Sequence, residues 1–143
     1  MLVGRRDAGA FEEFEASVRT LGLADRIKVL GYVPHDDLAA LMSEAAAFVY
    51  PSRYEGFGLA PLEAMACGAH VIASAVASLP EVVGEGGTLV EGEAPQRWAE
   101  AISAALAGDR SAARQRAITQ AAKFDWDPAA SKLLAVLQGV SDA

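Results

Sequence analysis

Glu55 and Glu63 stand eight residues apart in the stretch PSRYEGFGLAPLEAMACG (51–68), with Gly56 and Gly58 beside the first and Pro61 just before the second. An ionised carboxylate only accepts hydrogen bonds, and its two oxygens can grip a pair of neighbouring hydroxyls. Glycines let a backbone turn tightly and approach a ligand closely. Pro61 suits the first turn of a helix, where its missing N–H costs nothing, and Gly68 suits the position just past the end. A helix is therefore expected from near Leu59, with Glu63 one turn inside it. Its unpaired N–H groups and the positive end of its dipole would form a seat for an anion. One phosphate seat flanked by two hydroxyl-gripping acids matches a nucleotide that carries a sugar. A plainer role fits the same pair: Glu63 near a helix start favours the dipole by ~0.3–1 kcal/mol, and Glu55 is then a solvated loop acid.

The rest of the chain must place that stretch. Its 143 residues allow one domain with a real core, and 52% apolar content argues against disorder. Twelve Lys and Arg against nineteen Asp and Glu give a net charge of −7. That disfavours a broad nucleic-acid surface, which needs clustered cations, without excluding a small anionic ligand. Cys67 is the only cysteine, so no intrachain disulfide or Cys-based metal site can form, and a reducing, cytoplasmic setting is expected. No apolar run approaches ~18 residues, and the acids in MLVGRRDAGAFEEFEASV stand where a signal peptide would be apolar.

Short apolar runs alternate with helical patterns. Leu2–Val3 reads as a strand tail ending at Gly4. Phe11, Phe14, Val18 and Leu21 recur at helical spacing until Gly22. IKVLGY (27–32) reads as a strand, followed by a helix capped by Asp36 or Asp37 with Leu38, Leu41, Met42 and Ala45 on its apolar side. AFVYP (47–51) and HVIAS (70–74) are the clearest strands. A short helical segment near Pro80–Val83, a strand GTLVE (87–91) and helices over 95–106, 111–123 and 128–137 complete the pattern. Trp98 and Trp126 sit among aliphatics at helical spacing and are expected in the core. Alternation of this kind predicts an α/β, Rossmann-like parallel sheet with helices on both faces, and such sheets bind ligands at the carboxyl ends of their strands. The Glu55 loop lies at one of those ends.

FVYPSRYEGFGLAPLEAMACGAHVIAS resembles the C-terminal donor-binding domain of GT-B fold retaining glycosyltransferases, the group called family 4, whose signature sets two glutamates around E-G-F-G. The likeness extends through VLGYVPHDDLAALMSEAAAFVYPS, LPEVVGEGGTLVE and KFDW, from about Leu2 to Leu137. It implies that the whole of 1–143 is a partial nucleotide-sugar-binding domain. It also implies a reaction moving a glycosyl (hexosyl) group from a nucleoside diphosphate sugar to an acceptor with retention at the anomeric carbon. Carried over by position, Glu63 binds the ribose hydroxyls. Glu55, the catalytic candidate, contacts the transferred sugar. Backbone N–H groups of Phe57, Gly58 and Leu59 face sugar and diphosphate. Backbone near Tyr32 and Val33 borders the base, and Arg53 lends charge near the diphosphate. No metal and no cofactor beyond the donor is implied.

The resemblance also implies partners. An acceptor-binding N-terminal domain and the first strand of the donor domain have no counterpart in this sequence. The isolated chain is therefore expected to be inactive, with residues 2–4 and 47–50 flanking a gap, and to self-associate through the incomplete sheet. Membrane association would belong to a fuller enzyme at the cytoplasmic face. His70, His35, Cys67 and Glu81 are expected to be structural or solvated, and Ala75 and Ala77 stand where polar residues are common. Two other classes fit the same residues: a non-catalytic module that binds a nucleotide or nucleotide sugar, and a nucleotide-sugar epimerase of like fold.

Overall fold

The structure is a computed structural model that describes residues 1–4 and 8–141. Arg5 and Arg6, which follow the first strand, lie outside the described residues. The chain divides into two compact units, 1–38 and 39–143, with the boundary inside one helix.

In the first unit β1 (Leu2–Val3) runs parallel to β2 (Val29–Gly31), with Leu2 opposite Val29. Between them lie α1 (Ala8–Thr20) and a single 3₁₀ turn, Ala24–Arg26. The apolar spacing of α1 brings the Phe11 and Phe14 rings to 6.0 Å between centroids. Helix α2 (His35–Glu44) begins two or three residues earlier than a cap at Asp36 or Asp37 predicts, so both acids occupy its first turn instead of capping it. There they still complement the helix dipole.

The second unit holds three parallel strands in the order β3 (Phe48–Tyr50), β4 (Val71–Ser74), β5 (Gly87–Val90). Tyr50 lies opposite Ala73, and Ser74 opposite Val90. All four residues of β4 are buried, as suits a central strand built on Val71, Ile72 and Ala73. Helices α3 (Leu59–Ala66) and α4 (Leu79–Val83) follow β3 and β4. Beyond β5 come α5 (Pro95–Ala107), α6 (Arg110–Ala121) and α7 (Trp126–Ser141). Met65, Ile72, Leu79, Val82 and Val83 form the core. Buried Ala113, Ala117 and Ala121 give α6 a small-residue face, which lets it approach α3 closely. Asp109 caps α6 by accepting the N–H groups of Ser111 and Ala112 at 2.8 and 3.1 Å.

The strands are all parallel, as expected, and pair as β1–β2 and as β3–β4–β5. Among the described residues β1 pairs only with β2, and β3 only with β4. Trp126, expected in the core, is 81% exposed. It opens α7, where Asp125 Oδ1 accepts the N–H of Asp127 at 3.2 Å, so the helix starts two residues before Pro128. No helix among the described residues is long and apolar enough to cross a membrane.

Candidate functional site

The site grows from the turn between β3 and α3. Pro51 ends the strand, and the chain doubles back through residues 52–57. Gly58 then caps α3 with φ +102°, a left-handed conformation that favours glycine. Gly58 is buried, and a Cβ there would lie 2.7 Å from Leu79 Cδ2. The far end of α3 closes in a Schellman motif: Gly68 N–H donates to the Met65 carbonyl and Ala69 N–H to the Ala64 carbonyl, both at 2.9 Å. Pro61, Ala64 and Met65 are buried while Leu59, Glu63 and Ala66 are exposed, so the helix turns one face inward and presents Glu63 to solvent.

No side chain caps the entrance of α3, and its first turn holds no acid. Among the described residues no acceptor engages the N–H groups of Gly56, Phe57, Gly58, Leu59 or Ala60. These are the orphan donors of a helix start, with the positive dipole end behind them.

Glu55 is fixed from one side. Its Oε1 accepts the Tyr50 hydroxyl at 2.6 Å and the Ser52 hydroxyl at 2.9 Å. The bond to Glu55, then burial, then the Glu55 charge push the Tyr50 phenol up to about 12. Both of these bonds fall on Oε1, and among the described residues no donor reaches Oε2. Phe57 is anchored by its ring, which meets Phe124 edge-on at 6.0 Å. Ser78 Oγ lies 2.7 Å from the Phe57 carbonyl.

The second unit thus brings Glu55, Phe57, Gly58, Leu59 and Glu63 onto one turn-and-helix segment. Arg53 belongs to the same loop, but Glu93 engages its guanidinium at 2.9 and 3.2 Å. Both partners are exposed, so the pair contributes little to stability. Beside that pair, Val49, Ser74, Val76, Trp98 and Ile102 line an open cleft of about 450 Å³. Tyr32 and Val33 lie in the first unit, just after Gly31 turns the chain out of β2 with φ +68°. Tyr32 is 83% exposed.

His70 precedes β4, at the amino end of the strands and away from the Glu55 turn. It shares a hydrogen bond with Thr88 Oγ1 at 3.0 Å, and burial, then the Arg116 charge, lower its pKa. Glu81 is exposed in the first turn of α4. The sequence holds one Asp-x-Asp, Asp125 and Asp127, and the Asp125 carboxylate is spent on the start of α7. Among the described residues no three His, Cys, Asp or Glu side chains cluster as metal ligands. Sequence reasoning did not single out Tyr50, Ser52 or Ser78. The two hydroxyls flanking Pro51 were the available signal for the first two, whereas Ser78 is distant in sequence.

The second unit is a parallel α/β domain with an open helix entrance and two acids at the carboxyl end of its sheet. The chain belongs to the family described as Glycosyl transferases group 1, which matches residues 1–124. It is 47% identical over 103 residues to the O-antigen chain mannosyltransferase B of Escherichia coli, covering 71% of this chain and 27% of that protein. Among solved structures, sucrose-phosphate synthase from Thermosynechococcus elongatus superposes with a TM-score of 0.86 at 34% identity, over 99% of this chain and 38% of that one. The Anabaena protein HepE, in complex with UDP and glucose, superposes with a TM-score of 0.85 at 27% identity, over 96% and 40%. The fold is that of GT-B glycosyltransferases. The chain spans about a quarter to two fifths of the length of these proteins.

Proposed function

We propose that this chain holds the nucleoside diphosphate sugar donor of a retaining, family 4 glycosyltransferase. The carrying observation is the pinned Glu55: Tyr50 and Ser52 fix one carboxylate oxygen beside a helix entrance whose N–H groups have no acceptor among the described residues. Glu55 binds hydroxyls of the transferred sugar, and Glu63 binds the ribose pair. The N–H groups of Phe57, Gly58 and Leu59 take the diphosphate oxygens. As the glycosidic bond to the diphosphate lengthens, negative charge grows on the leaving oxygens. Preorganised amides at a helix start stabilise that charge without reorganising. The bidentate Glu93 contact leaves Arg53 a smaller share of the diphosphate than its position in the loop suggests.

The likeness to HepE, whose complex holds UDP and glucose, supports a donor of this class. Transfer also needs an acceptor site, which we assign to residues outside this sequence. Titration of the chain with UDP, GDP and ADP, each free and as its glucose conjugate, tests the reading. Saturable binding of one diphosphate, tightened by the sugar, is expected; no binding of any of them overturns it. A labelled-donor turnover assay on the same chain is expected to show little or no transfer.

A further inference from the structure

Ser78 occupies the N-cap of α4, where a serine ordinarily accepts an N–H from its own helix. Here it makes no such bond. Its hydroxyl reaches back to the site loop, 2.7 Å from the Phe57 carbonyl and 3.2 Å from the Glu55 carbonyl. A hydroxyl carries one proton, so it donates mainly to the nearer Phe57 oxygen and shares the remainder with Glu55. A trans peptide is planar, and its C=O and N–H point in opposite directions. Holding the Phe57 carbonyl therefore aims the Gly58 N–H away from Ser78. Holding the Glu55 carbonyl does the same for the Gly56 N–H. Neither N–H meets an acceptor among the described residues. Neighbouring backbone N–H groups turned to one side of a turn form a concavity that suits anionic oxygens.

The residues around Ser78 keep it in place. Ala77, just before it, has φ +48° and is the one non-glycine with positive φ among the described residues. Such a conformation costs an alanine roughly 1–2 kcal/mol and persists where the surroundings enforce it. Leu79, just after it, is fully buried against Gly58. Strain on one side and packing on the other leave the hydroxyl little freedom to leave the loop.

We propose that Ser78 is a positioning residue for the donor diphosphate: by bridging the carbonyls of Phe57 and Glu55 it orients the Gly58 and Gly56 N–H groups toward the phosphate oxygens. This rests on the donor reading above. The test compares the wild-type chain with Ser78→Ala and Ser78→Thr in titrations with UDP and with uridine. With Ser78→Ala, UDP is expected to bind about five- to tenfold more weakly, the worth of one hydrogen bond, while uridine stays within about twofold. Ser78→Thr, which keeps the hydroxyl, is expected to recover most of the loss. Unchanged UDP affinity in Ser78→Ala, or equal losses for UDP and uridine, overturns the proposal.

The amide resonances of Gly56 and Gly58 in ligand-free protein report the bridge without reference to binding. They are expected to move in Ser78→Ala and return in Ser78→Thr; unmoved resonances overturn the bridge itself. A wild-type chain that binds none of UDP, GDP and ADP would overturn the donor reading, and the diphosphate role with it, even if the resonances move. Wild-type binding with an indifferent Ser78→Ala overturns the positioning role alone.

Discussion

The Tyr50 hydroxyl donates to Glu55 Oε1 across 2.6 Å, tying the last residue of β3 to the acid five residues later. The bond closes the turn and holds the Glu55 carboxylate by one oxygen. Tyr50→Phe removes the donor and leaves Ser52 as the sole hydroxyl on Oε1. A hydrogen bond to a charged group in a partly solvated turn is worth about 1–2 kcal/mol. Thermal melts at neutral pH are expected to show a loss of that size, and an ultraviolet titration should lose the phenol that ionises near 12. The sign in alkali follows. The unfolded tyrosine releases its proton near pH ~10 and the folded one near 12, so this contribution is full below pH ~10 and fades as pH rises toward 12. A variant as stable as wild type would show that the turn does not depend on this bond.

Gly58 and Gly56 look alike in the sequence but should respond oppositely to alanine. At Gly58 the backbone is left-handed and the added Cβ would lie 2.7 Å from buried Leu79, whereas at Gly56 no atom lies within 4 Å. Gly58→Ala is expected to cost about 2–4 kcal/mol from backbone strain and overpacking. Gly56→Ala is expected to stay within about 0.5 kcal/mol. Denaturant unfolding of the two variants measures the contrast, and equal costs would contradict the described entrance to α3.

Much of this geometry was legible in the sequence. Pro51, the two glycines and Gly68 are local punctuation, and local rules place β3, the turn and α3 from them. VIAS reads as a buried strand because a central parallel strand needs apolar side chains on both faces. The spacing of Glu55 and Glu63 alone fits either a ligand site or a helix-start acid beside a loop acid, and the resemblance around E-G-F-G is what points to the site. What stayed hidden depends on contacts between distant residues. Arg53 meets Glu93 forty positions away, and Ser78 reaches back more than twenty to Phe57. No periodicity encodes such pairs. The exposure of Trp126 follows from where Asp125 starts α7, although its spacing among aliphatics looks like that of a core residue.

His70 should make the fold sensitive to acid. Burial, then the Arg116 charge, holds its folded-state pKa below the ordinary ~6.5. The unfolded chain therefore takes up this proton first as pH falls, and stability declines from about pH 6.5 toward the lowered value. Melting temperatures between pH 7 and 5.5 are expected to fall more steeply for wild type than for His70→Asn. Parallel curves would assign the acid sensitivity to other groups.

The account stands on the two acids flanking the α3 entrance, and calorimetric titration of wild type, Glu63→Ala and Glu55→Ala with nucleoside diphosphates and their sugars tests it most directly. Losing the charged acceptor for the ribose pair should weaken every nucleotide by about 10- to 100-fold in Glu63→Ala. In Glu55→Ala the free diphosphate should bind nearly as in wild type, while the extra affinity conferred by the sugar disappears. Equal affinities of all three proteins for every ligand would contradict the assignment of both acids.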